Sequence, residues 1–363
     1  MPYGSVNADL MTTSDGVSSS GLYGFKNRLI NGAMAISQRG TSFVSPTGAY
    51  TIDRWEMEEN TDGTVTVTQD TDAPTGFSFS QKFTVTSADA SLAATQDLIV
   101  GQYIEGFNTA DLVFGSASAA TVTLSFWVKS SLTGTFGGAL QNSARTRSYP
   151  FTYTISSAST WEQKTVTIAG DTSGTWIGAT NGIGLRVYFG LGVGSTYSGT
   201  AGAWAATNYY SATGAVSVIG TNSATWAVTG VQLEKGSTAT SFDYRDYGRE
   251  LMLCQRYYYG YVSGSGKLVA RGGYYSSTQV EGSIYFPTTM RTTPTLVATS
   301  GTNYYIVYRG GGDDAINSLT LNNEGSAASV SVYNNADASG TIGYAAQIAT
   351  QNASASVAFN AEL

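Results

Sequence analysis

Between Asp53 and Asp72 the chain also carries Glu56, Glu58, Glu59, Asp62 and Asp70. A run this rich in carboxylates ligates a hard cation, supplies acid and base to a reaction, or keeps a strand edge solvated. It lacks the spacing of an EF-hand loop, so no metal is assigned to it. Strand alternation through 49–57 puts Tyr50, Ile52 and Arg54 on one side and Thr51, Asp53 and Trp55 on the other, and Asp53 pairs with Arg54 across a strand edge, fixes a neighbouring loop, or acts as a catalytic carboxylate. Glycoside chemistry requires a second acid in a defined relation to the first, and none is recognisable. For Glu56, Glu58, Glu59 and Asp62 the default is a solvated edge that discourages pairing between strands.

The chain contains no histidine and one cysteine. A missing imidazole excludes Ser-His-Asp and Cys-His nucleophiles, an HExxH zinc site and the ordinary general base near neutral pH. A single thiol forms no internal disulfide, and Cys254 sits in an apolar pattern, as a small buried hydrophobe does. The sequence therefore predicts a protein that is not an enzyme, with no catalytic residue, cofactor or metal.

Recognition is the better use of its side chains. In TVTLSFWVKSS (121–131) Val122, Leu124, Phe126 and Val128 share one strand face and Trp127 lies on the other. GLRVYFGL (184–191) turns Leu185, Val187, Phe189 and Leu191 inward and Arg186 and Tyr188 outward. In Val231-Gln232-Leu233-Glu234 the same alternation puts Gln232 outward. An aromatic platform flanked by planar hydrogen-bonding groups suits a sugar ring, with its apolar C–H faces and rim of hydroxyls. Trp127, Arg186, Tyr188 and Gln232 are thus candidate glycan-groove residues; alternatively they pack under a loop or against a sister subunit. The loop 192–215 adds Tyr197, Trp204, Tyr209 and Tyr210, as a ligand loop or an intersubunit contact.

The elements that must position these residues are strands. Charged residues make up 12 % of the 363, about half of what is usual. With 24 Tyr, 14 Phe and 43 Gly, the composition favours strands, turns and adhesive surfaces. Alternating runs at 121–131, 161–168, 184–191 and 225–234, separated by Gly/Ser/Thr turns, predict an all-β chain of antiparallel sandwiches. A net charge of −7 without a basic stripe argues against nucleic acid. MPYGSVNADL does not read as a signal peptide and no run is long enough to span a bilayer, so a soluble protein made in a reducing cytoplasm is expected, with no membrane insertion.

Three segments follow. Residues 1–26, rich in Ser, Gly, Thr and Asp, predict an extended arm that orders on docking or remains a tail. Residues 27–247 form a β-sandwich. At 247–258 Tyr247, Leu251, Cys254 and Tyr258 recur on one helix face, predicting a short linking helix. Residues 248–363 then return to short strands as a second, smaller β-sandwich, with Pro287 and Pro294 bracketing a connection.

Four stretches resemble bacteriophage tail-fibre proteins: KNRLINGAMAISQRG at 26–40, AYTIDRWEM at 49–57, VQLE followed by ELMLCQRYYY at 231–259, and SIYFPTTMRTTPTLV at 283–297. The order LSFWVKS, WEQKTVTI, LRVYF, VQLE resembles the jelly roll of carbohydrate-binding modules. The resemblance implies a non-enzymatic virion fibre exposed on the particle. It would attach to tail or baseplate proteins through residues 1–26, assemble as a homotrimer and adhere to host-surface polysaccharide. It also implies a distal tip in residues 248–363, where Tyr274, Tyr275, Tyr304 and Tyr305 stand among tyrosines too numerous for one small core. Arg291 holds a loop there or faces a partner. Two other roles fit the same jelly roll: a structural capsid, collar or baseplate connector, and a polysaccharide-degrading spike.

Overall fold

The computed structural model describes residues 26–363, so the arm expected over 1–26 lies, but for Lys26, outside the described residues. The chain divides into two compact units, the first ending at Tyr247 and the second spanning Gly248–Leu363.

In the first unit Val/Thr and Val/Phe alternation builds two six-stranded antiparallel sheets. The first has the order β1 (Ser42–Val44), β4 (Thr64–Asp70), β5 (Ser80–Ser87), β14 (Thr225–Lys235), β7 (Val122–Ser130), β10 (Glu162–Ile168). The second runs β2 (Ala49–Tyr50), β3 (Glu56–Glu59), β6 (Asp97–Glu105), β11 (Ile183–Val193), β8 (Gly134–Gln141), β9 (Ser148–Ile155). A short parallel pair, β12 (Ser198–Gly199) and β13 (Ser211–Ala212), lies in the 194–216 connection. The inward rows expected on β7 and β11 form the core together with Trp226, Val228, Val231 and Leu233 of β14. Aromatic rings bridge the sheets: Phe126 of β7 meets Phe189 of β11 at 4.9 Å and Tyr153 of β9 at 5.0 Å. Each such buried ring contributes roughly 1.5–3 kcal/mol.

The strand alternation expected through 49–57 breaks. β2 stops at Tyr50, and residues 51–55 make a tight turn in which the Trp55 amide donates to the Ile52 carbonyl at 2.9 Å. Arg54 adopts φ 74° there and its guanidinium donates to the Tyr103 carbonyl at 2.6 Å. The turn lets Ile52 and Trp55, assigned opposite faces by alternation, both enter the core. Asp53 fixes a loop: its carboxylate accepts from the Gln38 amide at 2.9 Å and lies 3.8 Å from Arg39.

Residues 27–36 enter the core without forming a strand, so side chains must satisfy their backbone. Asn27 Oδ1 accepts from the amides of Leu29 and Leu233, and its Nδ2 donates to the Val231 carbonyl. Gln102 of β6 exchanges two 2.7 Å bonds with the backbone of Ile30. Asn31, fully buried at φ 56°, donates to the Ile36 and Asp53 carbonyls, accepts from the Ile36 amide, and offers its carbonyl to Trp55 Nε1. Gly32 is required by contact, since a Cβ would stand 2.1 Å from the Val231 carbonyl oxygen.

The second unit pairs a three-stranded sheet, β15 (Tyr258–Ser263), β24 (Ser356–Asn360), β18 (Thr295–Ala298), with a seven-stranded one. The latter has the order β20 (Gly312–Ile316), β19 (Tyr305–Arg309), β23 (Ala345–Thr350), β16 (Leu268–Ser276), β17 (Gln279–Tyr285), β22 (Ser329–Asn334), β21 (Thr320–Leu321). Both sheets contribute to one core. The chain is therefore all-β, with α1 (Tyr247–Gln255) as the single α-helix among the described residues. On α1 only Cys254 is fully buried; Tyr247 is exposed, and Tyr258 opens β15 while its neighbour Tyr257 is buried. Arg291 holds the segment that follows β24, donating to the Ala361 and Glu362 carbonyls at 2.6 Å. Among the described residues no helix is long and apolar enough to cross a membrane.

Replacing Asn31 by Ala strands two buried backbone groups, the Ile36 amide and the Asp53 carbonyl, each costing about 1–3 kcal/mol, while the Ile36 carbonyl keeps its bond from the Asp53 amide. Urea unfolding of Asn31→Ala is expected to lose at least about 2 kcal/mol from the first unit. An unchanged midpoint would mean that water replaces the amide.

Candidate functional site

The outer face of the first sheet carries an open aromatic stripe. Pairing of β14 with β7 breaks between Thr229 and Gln232, where Gly230 sits at φ 61°. A Cβ on Gly230 would lie 2.6 Å from the Phe77 ring and 3.1 Å from Trp127, so the bulge exists to admit both rings. Phe77 continues the stripe to Phe242 at 5.1 Å and Tyr244 at 5.5 Å. Tyr244 is 61 % exposed, its hydroxyl donating to the Gly76 carbonyl at 3.2 Å.

Polar groups border the stripe. Register sets Gln163 of β10 beside Trp127 and Thr165 beside Ser125, and both Gln163 and Thr165 are exposed. Farther along, Lys129 reaches Asp72 at 2.6 Å, while Trp161 Nε1 donates to the same carboxylate at 3.1 Å. The Lys129 hydrogen bond holds Asp72 below the usual carboxylate range. Rings for apolar C–H faces and planar or charged groups for hydroxyls thus share one surface.

Gln232 belongs to this face but is fully buried beneath residues 240–244. Its Oε1 accepts from the Asp243 amide at 2.8 Å and its Nε2 donates to Glu234 at 2.9 Å. It anchors the segment that carries Phe242 and Tyr244 instead of meeting a ligand.

Arg186 and Tyr188 lie on the other sheet, so the four expected groove residues do not form one surface. With Tyr210 they join a network on the outer face of the second sheet. Glu58 Oε1 accepts from Arg145 and from Tyr103, each at 2.7 Å, and from Tyr188 at 3.3 Å. Arg145, at φ 55°, also donates to the Tyr210 hydroxyl at 2.7 Å. Arg186 stacks 4.8 Å above Tyr103 and donates to the Ser143 carbonyl.

Loops 142–147 and 194–216 roof this network. Gly137 and Gly190 make room for Ser211, whose Oγ would stand 2.3 and 2.7 Å from a Cβ at those positions. Arg186, Tyr188 and Tyr210 are buried in consequence. Burial raises the Tyr103 and Tyr188 hydroxyls above the ordinary phenol range. The 194–216 aromatics serve packing: Trp204 Nε1 donates to the Ala169 carbonyl at 2.7 Å and its ring meets Trp176, Tyr149 and Phe114, while Tyr209 covers Gly199.

In the second unit Tyr274 and Tyr305 are core residues, Tyr304 is half-buried against the same core, and Tyr275 is exposed. The tyrosine surplus is thereby partly absorbed, with Tyr257 buried as well. Phe77, Phe242 and Tyr244 carry no signal in the sequence because they lie on connections without alternation, and Tyr103 and Arg145 carry none because long-range packing brings them to Glu58. Among the described residues no group of three or more His, Cys, Asp or Glu could hold a metal ion.

No protein-family model and no curated protein matches the sequence. Among solved structures, the enzymatically active domain of tailspike protein 4 of bacteriophage CBA120 is 13 % identical at a TM-score of 0.30, over 58 % of this chain and 21 % of that one. The alignment thus spans about a fifth of the tailspike chain. A putative sugar binding protein from Bacteroides thetaiotaomicron is 11 % identical at a TM-score of 0.33, over 58 % of this chain and all of that one. The module TmCBM61, solved in complex with beta-1,4-galactotriose, is 11 % identical at a TM-score of 0.28, over 58 % and 99 % of the two chains.

Asp97, buried and near Glu58, is pushed up to about 6. A carboxyl whose folded pKa exceeds its unfolded value of about 3.9 favours the fold fully below that value, and loses this contribution as pH rises through about 6. Asp97→Asn, neutral throughout, is therefore expected to stabilise the protein at pH 8 by about 1–2 kcal/mol after allowance for solvent screening, with little effect at pH 4. Equal thermal shifts at the two pH values would contradict the assignment.

Proposed function

We propose that the chain is a non-enzymatic bacteriophage virion fibre protein that adheres to host-surface glycan through the outer face of its first sheet. The observation that carries this reading is the Phe77–Trp127–Tyr244 stripe, aromatic, partly exposed and edged by Gln163, Lys129 and Asp72. Stacked rings hold the C–H faces of a sugar, and planar side chains order its hydroxyls. The carboxylates Asp72 and Asp70 of this surface are both engaged, Asp72 by Lys129 and Trp161 and Asp70 by Lys82, which suits hydroxyl recognition and not proton transfer. The four tail-fibre-like stretches support attachment to tail or baseplate through residues 1–26, assembly as a homotrimer and exposure on the virion. In a trimer, modest contacts gain strength by acting together.

A purely structural connector is the second reading, favoured by the way the unit's own loops close the second sheet's outer face. One experiment separates the two. Trp127→Ala and Tyr244→Ala are each expected to weaken binding of the full chain to isolated host polysaccharide roughly tenfold, about 1.4 kcal/mol, with thermal stability unchanged. No reducing ends should be released during incubation. Absence of binding by the unsubstituted chain favours the connector, binding that neither substitution weakens removes the stripe from recognition, and released oligosaccharide overturns the non-enzymatic reading.

A further inference from the structure

On the seven-stranded sheet of the second unit, β16 presents Arg271, Gly273 and Tyr275 on its outer face, opposite the row that holds Tyr274 in the core. Gly273 pairs with Glu281 of β17 on one side and Ala345 of β23 on the other. Two adjoining positions therefore carry nothing larger than a methyl. The consequence is an open hollow of about 240 Å³, floored by the backbone at Gly272 and Gly282 and rimmed by Tyr275, Glu281, Ser283 and Ser331. Glycine at 273 is imposed by contact, because a Cβ there would stand 2.9 Å from the Tyr344 carbonyl oxygen.

Exposed apolar groups gather at one end. Tyr274 donates its amide to the Tyr344 carbonyl and accepts from the Gly343 amide, both at 2.9 Å, which brings 342–344 alongside 274–275. Tyr275 is 67 % exposed, Ile342 68 % and Tyr344 48 %. Neighbouring exposed apolar side chains around a polar hollow mark a contact surface better than isolated ones do.

We propose that this hollow binds a single neutral pyranose ring, stacked on Tyr275 and hydrogen-bonded through its hydroxyls to Glu281, Ser283 and Ser331. Size argues for one ring, since the volume falls below the roughly 300–1,000 Å³ of pockets that enclose drug-sized ligands. Chemistry argues for hydroxyls: the strand ladder occupies the floor's backbone groups, leaving a carboxylate and two serine hydroxyls to face the ligand. Charge argues for neutrality. Glu281 lines the hollow and Arg271, exposed on the same outer face, pairs with Ser283 at its edge, so the two charges offset, the site offers no net cation to a uronate or sialate, and the chain's net charge of −7 disfavours an anion further. The site extends glycan recognition to a surface independent of the Trp127 stripe.

The test uses the full chain on an array of neutral hexose, uronate-containing and sialylated oligosaccharides. The Trp127→Ala protein is expected to retain signal on neutral hexoses. Adding Tyr275→Ala should lower that signal at least about tenfold, and the isosteric Glu281→Gln about fivefold, at unchanged thermal stability. If Trp127→Ala alone abolishes all binding, the hollow is not a sugar site and the stripe reading stands. Should Tyr275→Ala remove all binding while Trp127→Ala removes none, the hollow is confirmed and the stripe reading falls. Indifference to both Tyr275→Ala and Glu281→Gln, or signal confined to acidic sugars, overturns the proposal.

Discussion

The first unit depends on satisfying a stretch of backbone that is buried without being a strand. Residues 27–36 enter between the sheets, where every unpaired amide or carbonyl costs about as much as a lost hydrogen bond. Side-chain amides solve this because each offers both donor and acceptor. Asn27 ties the segment to β14, Gln102 ties it to β6, and Asn31 closes the Ile36 loop on the Asp53 turn. The two sheets are thus linked by polar bonds as well as by packing.

That constraint reaches the candidate site. Arg245 donates to the Leu29 carbonyl at 3.1 Å and to the Asn27 carbonyl at 2.5 Å, holding the chain after β14 against the buried segment. Just before it, Asp243 and the 240–241 carbonyls bond to Gln232. Phe242 and Tyr244 sit between these anchors, and so their rings are delivered next to Phe77 and Trp127. The stripe is rigid because its support is buried, and a pre-set aromatic surface loses little entropy on meeting a ligand.

The strands were legible from the alternation of their side chains. Val122 through Val128 and Leu185 through Leu191 point inward as their period demands. Period two says which residues share a face, but neither which sheet a strand joins nor what covers that face. Trp127 and Tyr188, alike in pattern, therefore end on different sheets, one at an open surface and one under a roof. Turn chemistry hid more. Nothing in TIDRW announces that Arg54 takes a left-handed conformation, and without that the opposite assignments of Ile52 and Trp55 follow naturally. Tyr274 and Tyr305 misled by abundance, since a core of many alanines and valines has room for large rings.

The two outer faces of the first unit differ in a way that makes one the better candidate for the proposed recognition. On the second sheet the Glu56 and Glu58 carboxylates and two guanidiniums are held among buried phenols, and a ligand entering there would have to displace partners at 2.7 Å that are already nearly ideal. On the first sheet most ring contacts are with other rings, and a sugar adds to them without breaking a charged pair. Attraction built from ring faces and neutral hydroxyls is screened little by salt. It also does not titrate near neutral pH, as suits a chain with no histidine and half the usual charge. A surface of this kind trades strength per contact for indifference to the surrounding solution, and in the proposed trimer repeated copies would restore the strength.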